Sequence, residues 1–206
     1  MDLYQQTMEV NYLGVVRVTK TALPLLRRTP GSRVVIVSSV EDRAEPLTQP
    51  SYAASKFATR AFANSLRREL RLKDVYVSVI EPAFYATGCT KESSLIRTLE
   101  GNWRCTPTEV RESYGDQHLG LFIEFTKASM LTQHKDIQPV VNAMVQAVAN
   151  EAEPKFYYRV CHPIETVILW LVDILPEEIV DILQNNTFVI FSFKFLGLLM
   201  NGPRRK

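Results

Sequence analysis

Two short runs of apolar, largely β-branched residues flank one long helical segment, and this order constrains the fold more than any other feature. The runs span residues 33–39 and 75–80. Continuous apolar runs of this length are typical of strands buried on both faces of a parallel sheet. Residues 51–72 between them are rich in Ala, Arg and Leu and are long enough for the crossover helix that parallel strands require. The sequence therefore predicts a β–α–β unit and an α/β fold.

The flanking segments extend this unit on both sides. Apolar residues recur at helical spacing over residues 3–27, and Thr29 to Ser32 end that predicted helix. Residues 137–150 predict a further helix, and residues 155–160 a third parallel strand. Residues 83–135 are polar and rich in Gly, which predicts loops and short helices that cover a ligand.

Composition excludes several classes of function. The 206 residues are 46% hydrophobic, enough for one domain with a core, and the net charge of +2 predicts no nucleic-acid partner. Three widely spaced cysteines predict neither a disulfide framework nor a zinc site, and the histidines lack metal-ligand spacing. We therefore expect no metal. The first residues match neither a signal peptide nor a transit peptide, so we expect no targeting segment here.

The C-terminal part is unusually apolar. Residues 164–175 and 187–200 are strongly hydrophobic, but each run is shorter than the roughly 20 residues that span a bilayer. We predict a catalytic domain over residues 1–163 and an apolar helical tail over residues 164–206. The tail has two interpretations: a cover for the core or substrate entrance, or a helix in the membrane interface with its basic end at the headgroups. The second is favoured. Asn185-Asn186-Thr187 fits the glycosylation pattern, which we interpret as a chance match.

Tyr52 and Lys56 are the candidate reactive pair. Positions i and i+4 share one face of a helix, so the ammonium can favour the phenolate and lower the pKa of the phenol from about 10. Ser39, at the end of the first strand, can hydrogen-bond and orient a reacting oxygen. Tyr52 would exchange a proton with an alcohol or carbonyl oxygen, and the accompanying hydride requires a nicotinamide cofactor. The spacing alone is a weak signal, but its place in a β–α–β unit strengthens it.

Several longer motifs resemble the short-chain dehydrogenase/reductase family. They cover most of residues 1–183 and correspond to the C-terminal part of a Rossmann-like, doubly wound parallel sheet. The matching segments are Asn11-Tyr12-Leu13-Gly14, Val35-Ile36-Val37-Ser38-Ser39, Tyr52-Ala53-Ala54-Ser55-Lys56 and Glu81-Pro82-Ala83-Phe84-Tyr85-Ala86-Thr87. Loop and tail segments are similar to a membrane-associated branch that includes D-3-hydroxybutyrate dehydrogenase, retinol dehydrogenases and 17β-hydroxysteroid dehydrogenase type 6. That branch implies an intracellular membrane location, in the mitochondrion or the endoplasmic reticulum.

The resemblance implies a role for each matching catalytic residue. Tyr52 would be the acid/base, Lys56 would lower its pKa, and Ser39 would polarise the substrate oxygen. Asn11 would hold a water that links Lys56 to solvent. Ser38 replaces Ser39 if the register slips by one residue.

The resemblance also implies a cofactor, NAD or NADP. Tyr52 and Lys56 would hold the nicotinamide ribose, and Pro82 and Thr87 would contact the nicotinamide end. Two departures stand out: Ala83 replaces the glycine of the family's Pro-Gly, and no Gly-rich phosphate turn precedes the motifs. We therefore expect an N-terminally truncated sheet with an incomplete cofactor site.

Two functions follow from these observations. The first is interconversion of a secondary alcohol (a hydroxy acid, retinoid or steroid) and its carbonyl compound. The second is a non-catalytic interaction module, because the family commonly forms subunit interfaces through the helices that correspond to residues 3–27 and 51–72. The resemblance thus implies a homo-oligomer, and the missing Gly-rich turn favours the second alternative.

Overall fold

The computed structural model describes residues 2–43, 49–115, 117–149 and 153–183, which fall into two compact units. The first unit comprises Met1–Ala83 and Ile137–Ile174, and the second comprises Phe84–Asp136 with the described residues from Leu175 on. The strands are β1 (Ser32–Val37), β2 (Val75–Pro82) and β3 (Tyr157–Val160). The helices are α1 (Asp2–Met8), α2 (Gly14–Leu26), α3 (Pro50–Leu70), α4 (Glu92–Cys105), α5 (Thr108–Tyr114), α6 (Gln117–Ser129), α7 (Gln138–Ala149), α8 (Pro163–Ile174) and α9 (Glu177–Leu183).

The described strands form one parallel sheet in the order β1-β2-β3. Val34 lies opposite Val77 across the first pair, and Ile80 lies opposite Tyr158 across the second. The predicted parallel β–α–β–α–β arrangement is confirmed. Apolar residues on both faces of β2 allow this central strand to be buried along its length, as its near-continuous burial shows.

Helices cover both faces of the sheet. On one face, Ile36, Val77 and Val79 pack with Ala63, Leu66 and Leu70 of α3 and with partly buried residues of α2. Arg33 points to the other face, because the side chains of a strand alternate, and its guanidinium donates to the Ala147 carbonyl of α7 at 3.0 Å. Packing on both faces is the layer pattern of a doubly wound α/β fold, as the sequence predicted.

A π-helical turn interrupts the predicted helix 3–27. Over Glu9–Leu13 each backbone amide bonds to the carbonyl five residues earlier rather than four. The Gly14 amide, for example, donates to the Glu9 carbonyl. A side chain on Gly14 would place its Cβ 3.3 Å from that carbonyl, so the absence of a side chain suits the turn. Periodicity predicted a single helix over residues 3–27 and did not reveal the turn, because a single π turn keeps the chain helical and has no residue pattern of its own.

The second unit includes most of residues 83–135, for which the sequence predicted loops and short helices. It contains helices α4, α5 and α6, of which α4 and α6 have 14 and 13 residues. Gly101 and Gly120 lie inside these helices, whereas Gly115 has a φ of +83° and separates α5 from α6. Glycine marks a turn only where the backbone needs positive φ, and composition alone could not distinguish these cases.

The apolar segment 164–175 forms α8. Several of its large side chains are exposed, among them Val167, Trp170 and Ile174. Within the described residues, no helix combines the length and hydrophobicity needed to cross a membrane. The second apolar run at 187–200, the basic end of the chain and the Asn185-Asn186-Thr187 pattern lie outside the described residues.

Candidate functional site

Ser38 and Ser39 follow the carboxyl end of β1. The Ser38 amide donates to the Ile80 carbonyl at 2.8 Å and continues the pairing with β2 beyond the last β1 residue. The Ser39 hydroxyl accepts the Glu41 amide at 3.2 Å and caps a 3₁₀ turn, Val40–Asp42. Both serines are therefore fixed at the edge of the sheet where ligands bind in open α/β folds.

Helix α3 brings Tyr52 and Lys56 to the same place. Pro50 occupies the first turn of the helix, where a backbone amide would have no hydrogen-bond partner within the helix, so proline is tolerated there. Tyr52 lies one helical turn before Lys56 on the same face. The Lys56 Nζ is 5.4 Å from the centre of the Tyr52 ring and donates to the Ser38 carbonyl at 3.3 Å. The Ser39 hydroxyl interacts with the Tyr52 phenol and lowers its pKa. The structure thus brings together Ser39, Tyr52 and Lys56.

The electrostatics of the phenol differ from the prediction. Burial raises the pKa of Tyr52 to about 12, and the negative charges of Glu41 and Asp42 add to this rise, whereas the hydrogen bond from Ser39 opposes it. The predicted lowering by Lys56 is absent from this structure. Burial lowers the pKa of Lys56 itself, and the ammonium is directed to the Ser38 carbonyl.

Asn11 lies in the π turn and faces the first turns of α3. Its side-chain amide donates to the Ser55 hydroxyl at 3.0 Å, and Ser55 donates to the Tyr52 carbonyl at 2.7 Å. The Asn11 carbonyl accepts the Thr59 hydroxyl at 3.0 Å. Asn11 therefore supports the helix that carries Tyr52 and Lys56. Its predicted role in holding a water stays a prediction.

The remaining predicted cofactor residues have different surroundings. Pro82 is the last residue of β2, and the next residue, Ala83, donates its amide to the Val160 carbonyl at 3.0 Å. Ala83 does not have a positive φ, so its backbone conformation does not require the family's glycine. Thr87 belongs to the second unit, where its amide and hydroxyl contact the Thr90 hydroxyl at 2.8 and 3.2 Å.

A buried ionic cluster next to the site was missed in the sequence. Glu81 of β2 is fully buried between Arg43 and Arg159, with nitrogen–oxygen distances of 3.5 and 3.4 Å. Asp42 is also fully buried and lies 3.9 Å from Arg43 and from Arg60. One feature of the sequence could have revealed the cluster: Glu81 is a charged residue in a mostly apolar strand. In the paired strands, Glu81 lies opposite Arg159.

The two carboxyl groups of the 3₁₀ turn are the most perturbed acids of the cluster. Burial raises the pKa of Glu41 to about 7, against the opposing effect of Lys56. Burial and repulsion by Glu81 raise the pKa of Asp42 to about 6, partly offset by Arg60 and Arg43. Perturbed acids in a cluster beside a Tyr–Lys pair are typical of functional sites. Among the described residues, no group of three or more His, Cys, Asp or Glu side chains could hold a metal ion.

Sequence comparisons agree with this geometry. A family model described as short chain dehydrogenase matches residues 1–96. The chain is 36% identical to mouse retinol dehydrogenase 16 over 160 residues, 78% of this chain and 47% of the relative. It is 32% identical to human 17-beta-hydroxysteroid dehydrogenase type 6 over 143 residues, 69% of this chain and 44% of the relative. The chain thus spans about half the length of the curated relatives it matches.

Solved structures show the same fold. A short chain dehydrogenase/reductase from Burkholderia phymatum, solved in complex with NAD, superposes with a TM-score of 0.59 at 22% identity. That superposition covers 87% of this chain and 59% of the bacterial one. A short chain dehydrogenase from Burkholderia cenocepacia, solved with NADP, gives a TM-score of 0.57 at 16% identity, with 88% of this chain and 58% of the other covered.

Proposed function

This chain belongs to the short-chain dehydrogenase/reductase family, and we propose on that basis that it acts as an NAD(P)-dependent oxidoreductase, which interconverts a secondary alcohol and its carbonyl compound. The observation that carries the proposal is the placement of Ser39, Tyr52 and Lys56 at one edge of the sheet, with the Lys56 ammonium 5.4 Å from the centre of the Tyr52 ring and bonded to the carbonyl of Ser38.

Each side chain has a chemical role in this proposal. Tyr52 donates its proton to the carbonyl oxygen in reduction and accepts the alcohol proton in oxidation. The Ser39 hydroxyl orients the reacting oxygen, because it interacts with the phenol at the same edge of the sheet. Asn11 acts through Ser55 and keeps the first turns of α3 in place.

The residues present fit the nicotinamide end of the cofactor. Among the described residues, the Lys56 ammonium donates one hydrogen bond, 3.3 Å to the Ser38 carbonyl, so two N–H groups remain for ribose hydroxyls. The Ser38 hydroxyl is buried and accepts or donates no hydrogen bond within the described structure. When bound, the nicotinamide supplies or accepts the hydride. Pro82 and Thr87 are proposed as its further contacts.

The proposed substrates are lipophilic alcohols of the retinoid or steroid class, with hydroxy acids as the alternative. The similar mouse and human proteins are named as retinol and 17-beta-hydroxysteroid dehydrogenases, which supports this class.

Cofactor binding should depend on Lys56. We expect a saturable change in the fluorescence of the purified chain when NADH is added. Lys56→Met should raise the Kd for NADH by about 10- to 100-fold, because it removes charge-assisted hydrogen bonds. Lys73→Met, which removes an exposed lysine after α3, should leave Kd unchanged. Equal losses in the two variants would contradict a specific role for Lys56.

A folded chain that binds no NADH would favour the second candidate, an interaction module. Apolar side chains on α1, the π turn and α2 support it, since Leu3, Tyr4, Val10, Val18 and Leu25 are exposed. Such a module would pair with another copy or with a full-length relative through helices 3–27 and 51–72. Co-purification of mixed dimers would then be the decisive measurement, and strictly separate elution would remove its support.

We also propose that the C-terminal part contacts an intracellular membrane. The exposed apolar side chains of α8 and the basic end of the sequence support this proposal. Deleting residues 187–206 should abolish co-flotation with anionic lipid vesicles, whereas replacing only the last basic residues with Gln should weaken it and make it independent of salt. Unchanged flotation of the deletion variant would exclude the tail as the contact.

A further inference from the structure

Glu41 is a third ionisable side chain at the Tyr52–Lys56 pair, and the proposed reaction gives it no role. It lies in the 3₁₀ turn that packs against α3, directly after the two serines. Its backbone amide donates to the Ser39 hydroxyl at 3.2 Å, which fixes the residue relative to the phenol's hydrogen-bond partner. Its carboxyl Oε2 is buried and accepts no hydrogen bond from the described residues.

Burial and the neighbouring charges control the carboxyl. Tyr52 and Lys56 of α3 interact electrostatically with this carboxyl. The next residue of the turn, Asp42, interacts in turn with Arg43, Arg60 and Glu81. Burial raises the pKa of Glu41 to about 7 while Lys56 opposes the rise. Burial is the largest cause of the raised pKa of Tyr52, and the charge of Glu41 is the second largest. The carboxyl and the phenol are thus electrostatically coupled.

We propose that Glu41 is a positioning residue that acts through the Tyr52–Lys56 pair: its carboxylate, held in the turn that packs against α3, opposes formation of the phenolate, so carbonyl reduction is slower when Glu41 is ionised and faster when it is protonated. This inference rests on the proposed function. In reduction, the hydride that a bound nicotinamide would supply forms the new C–H bond, while the O–H bond of Tyr52 breaks, the new O–H bond forms on the carbonyl oxygen, and a phenolate remains until solvent returns a proton. A carboxylate beside that phenolate disfavours its formation and raises the barrier to reduction, so the effect is measured in the direction of carbonyl reduction.

The first test compares Glu41→Gln with the unaltered chain between about pH 5.5 and 8.5. Protonation makes the two side chains alike in charge at low pH, so their kcat/KM values should agree there. At high pH the variant should be about 3- to 10-fold faster. Glu41→Asp should restore a profile like that of the unaltered chain, because it restores the charge. A ratio that does not change with pH, or a variant that is slower at high pH, would overturn the proposal.

A second test needs no turnover. The absorbance of tyrosinate is recorded milliseconds after pH jumps, before unfolding, and the signal of Tyr52 is isolated by subtracting the matched Tyr52→Phe protein. We expect the Tyr52 midpoint to lie about one pH unit lower in Glu41→Gln. Identical midpoints would overturn the coupling even in an active enzyme. A lowered midpoint in a chain that turns over no substrate would support the coupling and reject the proposed reaction instead.

Discussion

Replacing Tyr52 with Phe is expected to lower kcat by about 10²- to 10⁴-fold, the usual contribution of a positioned acid/base. The substitution removes one hydroxyl, which interacts with Ser39, and leaves the ring beside Lys56. Losing one polar interaction costs about 1 kcal/mol, so the chain should stay folded. The measurement is steady-state turnover of retinoid, steroid and hydroxy-acid substrates with both cofactors, accompanied by circular dichroism.

Tyr76→Phe is the matched control for this prediction. Tyr76 lies near the start of β2, at the end of the strand that is remote from the site. The substitution removes the same phenolic hydroxyl there. Its turnover should equal that of the unaltered chain. Retained turnover in Tyr52→Phe would reject Tyr52 as the acid/base, and equal losses in both variants would indicate damage to the fold rather than to the reaction.

Breaking the buried ionic cluster should have the largest effect on stability. Arg43 contacts Asp42 and Glu81, both fully buried, and also reaches Asp173 of α8 at 3.6 Å. Arg43→Met keeps most of the apolar stem but leaves buried carboxylates short of a cation, which costs about 3–5 kcal/mol. Urea unfolding near pH 8 measures this loss. Arg17→Met, which removes only an exposed pair with Glu9, should cost at most about 1 kcal/mol.

The same variant should show a specific pH dependence. Because the pKa of Asp42 is raised to about 6 in the folded chain from an ordinary 3.8, the folded state binds more protons than the unfolded state between these values. The Asp42 contribution to stability therefore falls as pH rises through that window. Protonation removes the charge that Arg43 compensates, so the cost of Arg43→Met should be smaller near pH 4 than near pH 8. An equal cost at both pH values would show that lost packing, not charge, explains the destabilisation.

Local patterns were sufficient to predict much of this molecule. The strands, the crossover helix and the i to i+4 placement of Tyr52 and Lys56 follow from periodicities of a few residues, and the structure has them where they were predicted. The position of Ser39 also followed, because the end of a parallel strand must lie near the start of the next helix. These features depend on neighbours in the sequence, which the sequence displays directly.

Only the tertiary structure decided the charge state of the site. The prediction that Lys56 lowers the pKa of Tyr52 considered one pair of residues, whereas burial and the nearby Glu41 raise that pKa in the folded chain. The π turn that holds Asn11 against Ser55, and the register that sets Glu81 opposite Arg159, likewise bring together residues 44 and 78 positions apart. Desolvation and long-range contacts arise only when distant segments pack, so the placement of Ser39, Tyr52 and Lys56 could be predicted from the sequence but the electrostatics around them could not.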